Sequence, residues 1–88
     1  MEIEVRKPTQ QEIEEEAMRR WPIWECEPKT FDWYYDDRET CLILEGEVTV
    51  KTDAGEVHFA AGDLVVFPKG LKCVWQVAKK VRKHYQFG

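Results

Sequence analysis

The chain has 88 residues, enough for a single domain, with 43% hydrophobic residues, 34% charged residues and a net charge of −4. A domain of this size buries only about 60% of the surface of its unfolded chain, so the large apolar areas of its 4 Trp, 4 Phe and 3 Tyr are needed for the core. The acidic balance disfavours a nucleic-acid partner, and we interpret the short basic run from Lys79 to His84 as a solvated strand face.

Membrane insertion is not expected either. No apolar run approaches the roughly 20 residues that cross a bilayer, and the first ten residues, MEIEVRKPTQ, contain no apolar signal region. The cysteines are odd in number and form no CxxC pair, which indicates reduced thiols: Cys26, Cys41 and Cys73. We therefore expect a cytoplasmic protein.

One helix is predicted, over about residues 9–20. Thr9 followed by Glu12 fits a capping box, and acidic residues precede basic ones, which suits the helix dipole. The apolar stripe of this helix is predicted to be Ile13, Ala17 and Trp21. Pro22 ends the helix, and the two tryptophans that flank it, Trp21 and Trp24, are expected to pack the helix onto the rest of the domain.

The remainder of the chain, about residues 30–88, has a period of two that is typical of strands. Its segments are short, rich in β-branched and aromatic residues, and separated by Gly, Pro or Asp. They read TFDWYY, TCLILEG, EVTVKT, EVHFAAG, LVVFPKG, KCVWQV and VRKHYQF, and EIEVRK near the start would add another. Regular short strands with tight turns such as TDAGE predict an all-β antiparallel sandwich or small barrel. Residues 1–88 are predicted to form one domain.

Alternation along the last two segments predicts which side chains face the barrel interior. Cys73 and Trp75 share one face of KCVWQV, and Lys83 shares the apolar face of VRKHYQF. A buried ammonium needs a partner. Glu39, on the strand that continues to Cys41, is the natural candidate for that partner.

ETCLILEG and GDLVVFPKG together resemble the two motifs of the cupins. Glu39 and Gly46 have the spacing of the first motif, and Gly62, Pro68 and Gly70 match the second. With WPIWE, FDWYY and VRKHY, the chain is similar to the small single-domain cupins related to ureidoglycine aminohydrolase, in the RmlC-like superfamily. The resemblance implies a jelly-roll barrel, the double-stranded β-helix, with one short N-terminal helix. A homodimer is also expected.

The metal ligands that the resemblance implies are mostly missing. The family places two histidines before the glutamate, where this chain has either Asp32 and Tyr34 or Trp33 and Tyr35, depending on the spacing. The third histidine is replaced by Cys73. We expect no bound metal or other cofactor; a divalent metal, if held, would use the set Asp32, Tyr34, Glu39 and Cys73.

Three roles are open for Cys73. It could be a metal ligand, a nucleophile whose thiolate is stabilised by Lys83 with Glu39 as acid or base, or a packed core residue. The aromatic side chains near these groups predict walls for a ligand pocket: Trp33, Tyr34, Tyr35 and Trp75.

Two functions follow from these residues. The first is a cupin that binds a small polar metabolite in its barrel without metal. The second is an enzyme similar to the ureidoglycine aminohydrolase group that acts on a small nitrogen compound, with Glu39, Cys73 and Lys83 as the candidate catalytic residues. A barrel filled completely by side chains would favour neither.

Overall fold

The structure is a computed structural model that describes residues 1–88. Seven antiparallel strands form the body of the molecule: β1 Glu4–Arg6, β2 Ile23–Cys26, β3 Lys29–Tyr34, β4 Glu39–Thr52, β5 Gly55–Ala60, β6 Leu64–Phe67 and β7 Lys72–Phe87. They pair in the order β1-β6-β4-β7-β2, with β3 also on β7 and β5 also on β4. The predicted all-β fold is confirmed.

Two long strands replace four of the predicted segments. TCLILEG and EVTVKT form the single strand β4, and KCVWQV and VRKHYQF form β7. Each pair of segments is separated by a bend and not by a turn, because the β4–β7 register shifts between Ile43 and Val48. Gly46 lies in that bend with φ of 102°, and a Cβ there would lie 2.3 Å from the carbonyl oxygen of Lys80. No other residue fits at this crossing.

The register shift changes which positions of β4 face the core. Before the bend the buried residues Cys41 and Ile43 are at odd positions, and after it Val48 and Val50 are at even positions. The β4–β7 pair can therefore curve and keep one continuous apolar interior. That interior holds 14 buried residues and is rich in aromatic rings, among them Tyr35, Phe59, Phe67 and Trp75.

Two early strands extend the barrel beyond the range predicted for it. β1 forms from the EIEVRK segment, as predicted, and pairs with β6. β2, which was not predicted, pairs with β7 so that Trp24 lies opposite Lys83 and Ile23 opposite His84. Strands therefore begin at Glu4, well before residue 30.

The N-terminal helix is shorter than predicted. The α-helix α1 spans Gln10–Glu15, and the Thr9 side chain accepts a hydrogen bond from the Glu12 backbone N–H, so half of the capping box forms. The Glu12 carboxylate pairs with Arg6 instead of returning to the cap. Ala17 then adopts a left-handed conformation, which ends the helix, and a short 3₁₀ turn follows at Met18–Arg20.

The 3₁₀ turn changes which side chain docks on the outer face of the sheet. Ala17 is exposed, and Met18 is buried against Leu42 and Leu64, with Ile13 and Trp21 beside them. The predicted apolar stripe is thus correct at Ile13 and Trp21 and wrong at Ala17. The two short helices form a cover on the outside of the barrel and leave its interior to the strands. Neither is long and apolar enough to cross a membrane.

Candidate functional site

A buried ion pair lies inside the barrel. Lys83 Nζ is 2.9 Å from Glu39 Oε2, and the two side chains are 6% and 4% exposed. Glu39 begins β4 and faces Phe87 of β7, while Lys83 lies further along β7, opposite Ile43. Strand alternation turns both side chains inward, so the pairing predicted from the sequence is present.

Two indole rings also lie against the Lys83 ammonium. Nζ lies 4.9 Å from the Trp24 ring centroid and 4.7 Å from that of Trp75. The two rings are 5.9 Å apart at 78°, an edge-to-face arrangement. The negative faces of aromatic rings attract a cation, and a desolvated contact of this kind is worth up to about 2 kcal/mol. The ammonium is thus held by one carboxylate and two tryptophans.

A cavity of about 190 Å³ opens next to this pair. Seven of its nine lining residues are hydrophobic, and the full set is Trp24, Phe31, Trp33, Tyr35, Glu39, Trp75, Lys83, Tyr85 and Phe87. Its volume is room for roughly six water molecules. The barrel is therefore not completely filled by side chains. Trp33 and Phe87 are nearly half exposed and stand where the cavity meets solvent.

The sequence left open which pair of residues occupies the two histidine positions of the first cupin motif, Asp32 and Tyr34 or Trp33 and Tyr35. The register of β3 shows which pair faces the barrel interior. Trp33 lies opposite the buried Cys73, and Tyr34 lies opposite the exposed Lys72. Directly opposed residues share a face of the sheet, so Trp33 points inward, as does Tyr35 just beyond the strand, while Asp32 and Tyr34 point outward. Tyr34 is 58% exposed and does not line this cavity, so its contact with a ligand stays a prediction that the geometry does not favour.

The same register separates the predicted mixed metal set. Asp32 and Tyr34 lie on the outer face, away from Glu39, and no three His, Cys, Asp or Glu side chains come close enough to share a metal ion. The Glu39 carboxylate that a metal would need is already held by Lys83. The residues present therefore do not fit the histidine-held metal that the resemblance to metal-binding cupins implies.

The two histidines do not supply the missing ligands. His58 is exposed on β5, where its Nδ1 is 2.6 Å from the Thr49 hydroxyl. His84 lies on the outer face of β7, but it is buried and not solvated, because the N-terminal segment covers it. Its Nδ1 is 2.9 Å from the Trp21 carbonyl oxygen, so His84 fastens that segment to the sheet.

Cys73 is packed in the core and does not line the cavity. It is 3% exposed, and burial, with the Glu39 carboxylate as a second cause, raises its pKa to about 11. Lys83 is not among the groups that shift it. A nucleophilic thiol needs the opposite shift. The environment of Cys73 thus favours the packing role over the nucleophile and the metal ligand.

Tyr35 and Cys41 complete the surroundings of the ion pair. Burial raises the pKa of the Tyr35 hydroxyl far above its ordinary value, and the Glu39 carboxylate raises it further. Burial also raises the pKa of the Cys41 thiol to about 12, against the opposing effect of Lys83. Both groups stay protonated at neutral pH. The only charges in the interior are then those of Glu39 and Lys83.

Several cavity residues were missed by the sequence interpretation. Phe31 shares a strand face with Trp33 on β3, and Tyr85 and Phe87 share one with Lys83 on β7. The period of two therefore indicated that all three face the cavity. Trp24 was expected to pack the helix and instead lies over Lys83. Only its pairing across β2 and β7 places it there, and no local pattern predicts that pairing.

Comparison with protein families shows where this barrel belongs. The model of the EutQ-like cupin domain matches residues 13–85. The chain belongs to the EutQ-like cupin domain family. Comparison with curated proteins gives no significant match.

Several solved structures superpose on nearly the whole chain. A DUF861 family protein from Thermotoga maritima is 51% identical, with a TM-score of 0.96 over 99% of this chain and 100% of the other. The EutQ protein of Clostridium difficile is 22% identical, with a TM-score of 0.69 over 97% and 66% of the two chains. A cupin superfamily protein from Desulfitobacterium hafniense is 11% identical, with a TM-score of 0.58 over 96% and 74%. The last two show the fold alone.

Proposed function

We propose that this EutQ-like cupin binds a small, neutral, polar molecule in its barrel cavity. The observation that carries the proposal is the buried Glu39–Lys83 pair beside an unfilled, aromatic-lined space of about 190 Å³. Ligand sites are concave and mostly apolar, with a few polar groups that fix orientation. A pocket of this size suits a metabolite of a few heavy atoms.

The charge of the cavity argues for a neutral ligand. Glu39 and Lys83 carry one negative and one positive charge, so the interior is balanced before any ligand enters. A buried charge without its own partner is costly. A neutral molecule that accepts a hydrogen bond from the Lys83 ammonium keeps the balance, whereas an anion would have to compete with the Glu39 carboxylate.

The walls of the cavity argue for a flat ligand. Phe31 and Trp75 are stacked at 5.9 Å with an angle of 19° between their planes, and Trp24 stands edge-on to both. Planar π-systems pack well against such faces. Small amides, ureas, phenols and carbonyl compounds combine a flat shape with a hydrogen-bond acceptor.

The four indole N–H groups provide a direct test. Trp24, Trp33 and Trp75 line the cavity and Trp21 lies outside it, so one NMR spectrum contains both the site and its internal control. Titration with acetamide, urea, phenol and acetone is expected to shift the three cavity signals and leave the Trp21 signal in place. Absence of any shift, or shifts at Trp21 alone, would overturn the proposal.

The second candidate is an enzyme similar to the ureidoglycine aminohydrolase group, acting on a small nitrogen compound. Its support is Glu39 with its Oε1 free of any hydrogen-bond partner, a group able to act as acid or base beside the cavity. Elemental analysis by mass spectrometry on tag-free protein discriminates the two. A stoichiometric transition metal that is lost in Glu39→Ala would favour the enzyme; protein without metal favours the binding function.

Homodimer formation is part of the same proposal. The outer edge of β3 has no partner strand within the chain, and Trp33 is half exposed on that strand. Open strand edges are commonly covered by a second chain. Light scattering on the purified protein is expected to give twice the mass of 10.5 kDa, and a monomer mass would contradict it.

A further inference from the structure

We propose that Lys83 forms a covalent imine with small neutral aldehydes or ketones that enter the barrel cavity. The inference rests on the proposed binding function, because the carbonyl compound must first occupy the same cavity. It goes beyond that function in assigning a chemical step to a named atom, the Nζ of Lys83.

Burial sets Lys83 apart from every other lysine of the chain. Lys83 is 5% exposed, and the other seven lysines are exposed: Lys7, Lys29, Lys51, Lys69, Lys72, Lys79 and Lys80. A lysine in an apolar pocket is the environment in which proteins use this side chain as a carbonyl-directed nucleophile. Lys83 is also the one amine that lines the cavity.

The surroundings of Nζ leave its reactive side free. Its one hydrogen-bond partner is Glu39, and the ring centroids of Trp24 and Trp75 lie 4.9 and 4.7 Å from Nζ. An ammonium has three protons, so those not directed at Glu39 can be offered to a carbonyl oxygen in the cavity. The carbonyl carbon is then held close to the nitrogen that would attack it.

Glu39 is placed to move the protons that the step requires. Oε2 accepts from the ammonium at 2.9 Å, and Oε1 is buried without any partner. The carboxylate can therefore take a proton from Nζ and free the nitrogen lone pair. Transfer within the pair leaves no charge uncompensated in the interior.

The step balances without any other reactant. The Lys83 ammonium gives a proton to Glu39, and the freed lone pair forms a C–N bond as the C=O π pair moves to oxygen. A proton shift from nitrogen to oxygen gives the carbinolamine. Glu39 then returns its proton to the hydroxyl, the C–O bond breaks, water leaves, and the nitrogen lone pair closes the C=N bond. The product iminium again faces the Glu39 carboxylate.

Reductive trapping on the whole protein tests the inference. The protein is mixed with propanal or benzaldehyde and sodium cyanoborohydride at pH 7, and the adducts are located by peptide fragmentation. Lys79 is a matched control on the same strand, since it pairs with Glu47 at 3.2 Å but is 74% exposed. We expect the adduct at Lys83 to form at least tenfold faster than at Lys79. Labelling of Lys83 at or below the Lys79 rate overturns the proposal.

A further measurement separates this proposal from the binding function. The indole signals of Trp24 and Trp75 are recorded with the same aldehydes without reductant. Shifts without trapping retain binding and reject the imine, and neither shifts nor trapping rejects both.

Discussion

Glu39 and Lys83 are 44 positions apart in the chain and 2.9 Å apart in the barrel. Their pairing joins the start of β4 to the second half of β7, the two strands that make the most extensive contact in the fold. The charges are enclosed by tryptophan rings and shielded from solvent. Removal of either partner would leave a buried charge alone.

Replacement of Lys83 by Met is expected to destabilise the fold by about 3–5 kcal/mol, because the Glu39 carboxylate is left buried without a partner. Urea unfolding measures the change. The double variant Glu39→Gln with Lys83→Met should recover most of the loss. Lys79→Met, which breaks an exposed pair on the same strand, should cost less than about 1 kcal/mol. Equal losses in Lys79→Met and Lys83→Met would contradict the burial of the charge.

Trp33 and Tyr34 are neighbours on opposite faces of β3, and their alanine variants should differ in ligand binding. Trp33 stands at the cavity mouth, so Trp33→Ala is expected to weaken the binding of a flat ligand such as phenol by about 0.5–1.5 kcal/mol. Tyr34→Ala should leave binding unchanged, since that side chain points to solvent. Calorimetric titration of both variants provides the comparison, and an equal effect of the two would reject the assigned register.

Cys73 should react slowly with iodoacetamide at neutral pH. Its thiol is buried and its pKa is raised to about 11, so little thiolate is present and the reagent cannot reach it. Labelling followed by mass spectrometry is expected to give a rate below that of free cysteine, with Cys73→Ser to identify the site. A rate faster than that of free cysteine would support the interpretation of Cys73 as a nucleophile.

Stability should fall as the pH rises above about 9. The unfolded thiols of Cys73 and Cys41 lose their protons near 9, whereas the folded thiols keep theirs up to about 11 and about 12. Over this interval the native state binds more protons than the unfolded state, so the free energy of unfolding decreases. Urea unfolding midpoints at pH 8, 9 and 10 measure the slope of the free energy of unfolding against pH. Cys73→Ala should make it shallower, and a slope that stays the same would show that other groups cause it.

Ala17→Gly is expected to stabilise the protein by up to about 1 kcal/mol. Ala17 has φ of 51° and ψ of 40°, a left-handed conformation that strains any residue with a Cβ. Glycine removes that strain at some cost in unfolded-state entropy. Ala54→Gly in the β4–β5 turn, where no such strain exists, is a suitable control. A loss of stability in Ala17→Gly would show that the strain at Ala17 is small.

Local patterns were sufficient for much of the fold and for part of the site. The period of two predicted strands, and the alternation within VRKHYQF placed Lys83 on an inward face with a need for a partner. The resemblance of ETCLILEG and GDLVVFPKG to the cupin motifs implied the cupin barrel, which the family match confirms. Each of these features depends on residues that are close together in the chain, so it can be recognised from the sequence alone.

The extents of the elements were less predictable. The helix was expected to reach residue 20 because its charges and apolar spacing continue, but Ala17 turns left-handed so that Met18 can pack against Leu42. β2 was missed because only two of its four residues, Ile23 and Trp24, favour a strand. Both outcomes are set by contacts with strands far away in the chain.

The sequence by itself determined a small antiparallel barrel with an inward lysine, because side-chain alternation and turn residues act locally. The tertiary structure alone decided the rest of the site: that Trp33 and not Tyr34 faces the cavity, that Trp24 lies over Lys83, and that Cys73 is packed. Strand register fixes all three, and a slip of one residue would exchange every inward side chain for an outward one. Register is chosen by the sum of packing across β2, β3 and β7, which no short stretch of sequence records.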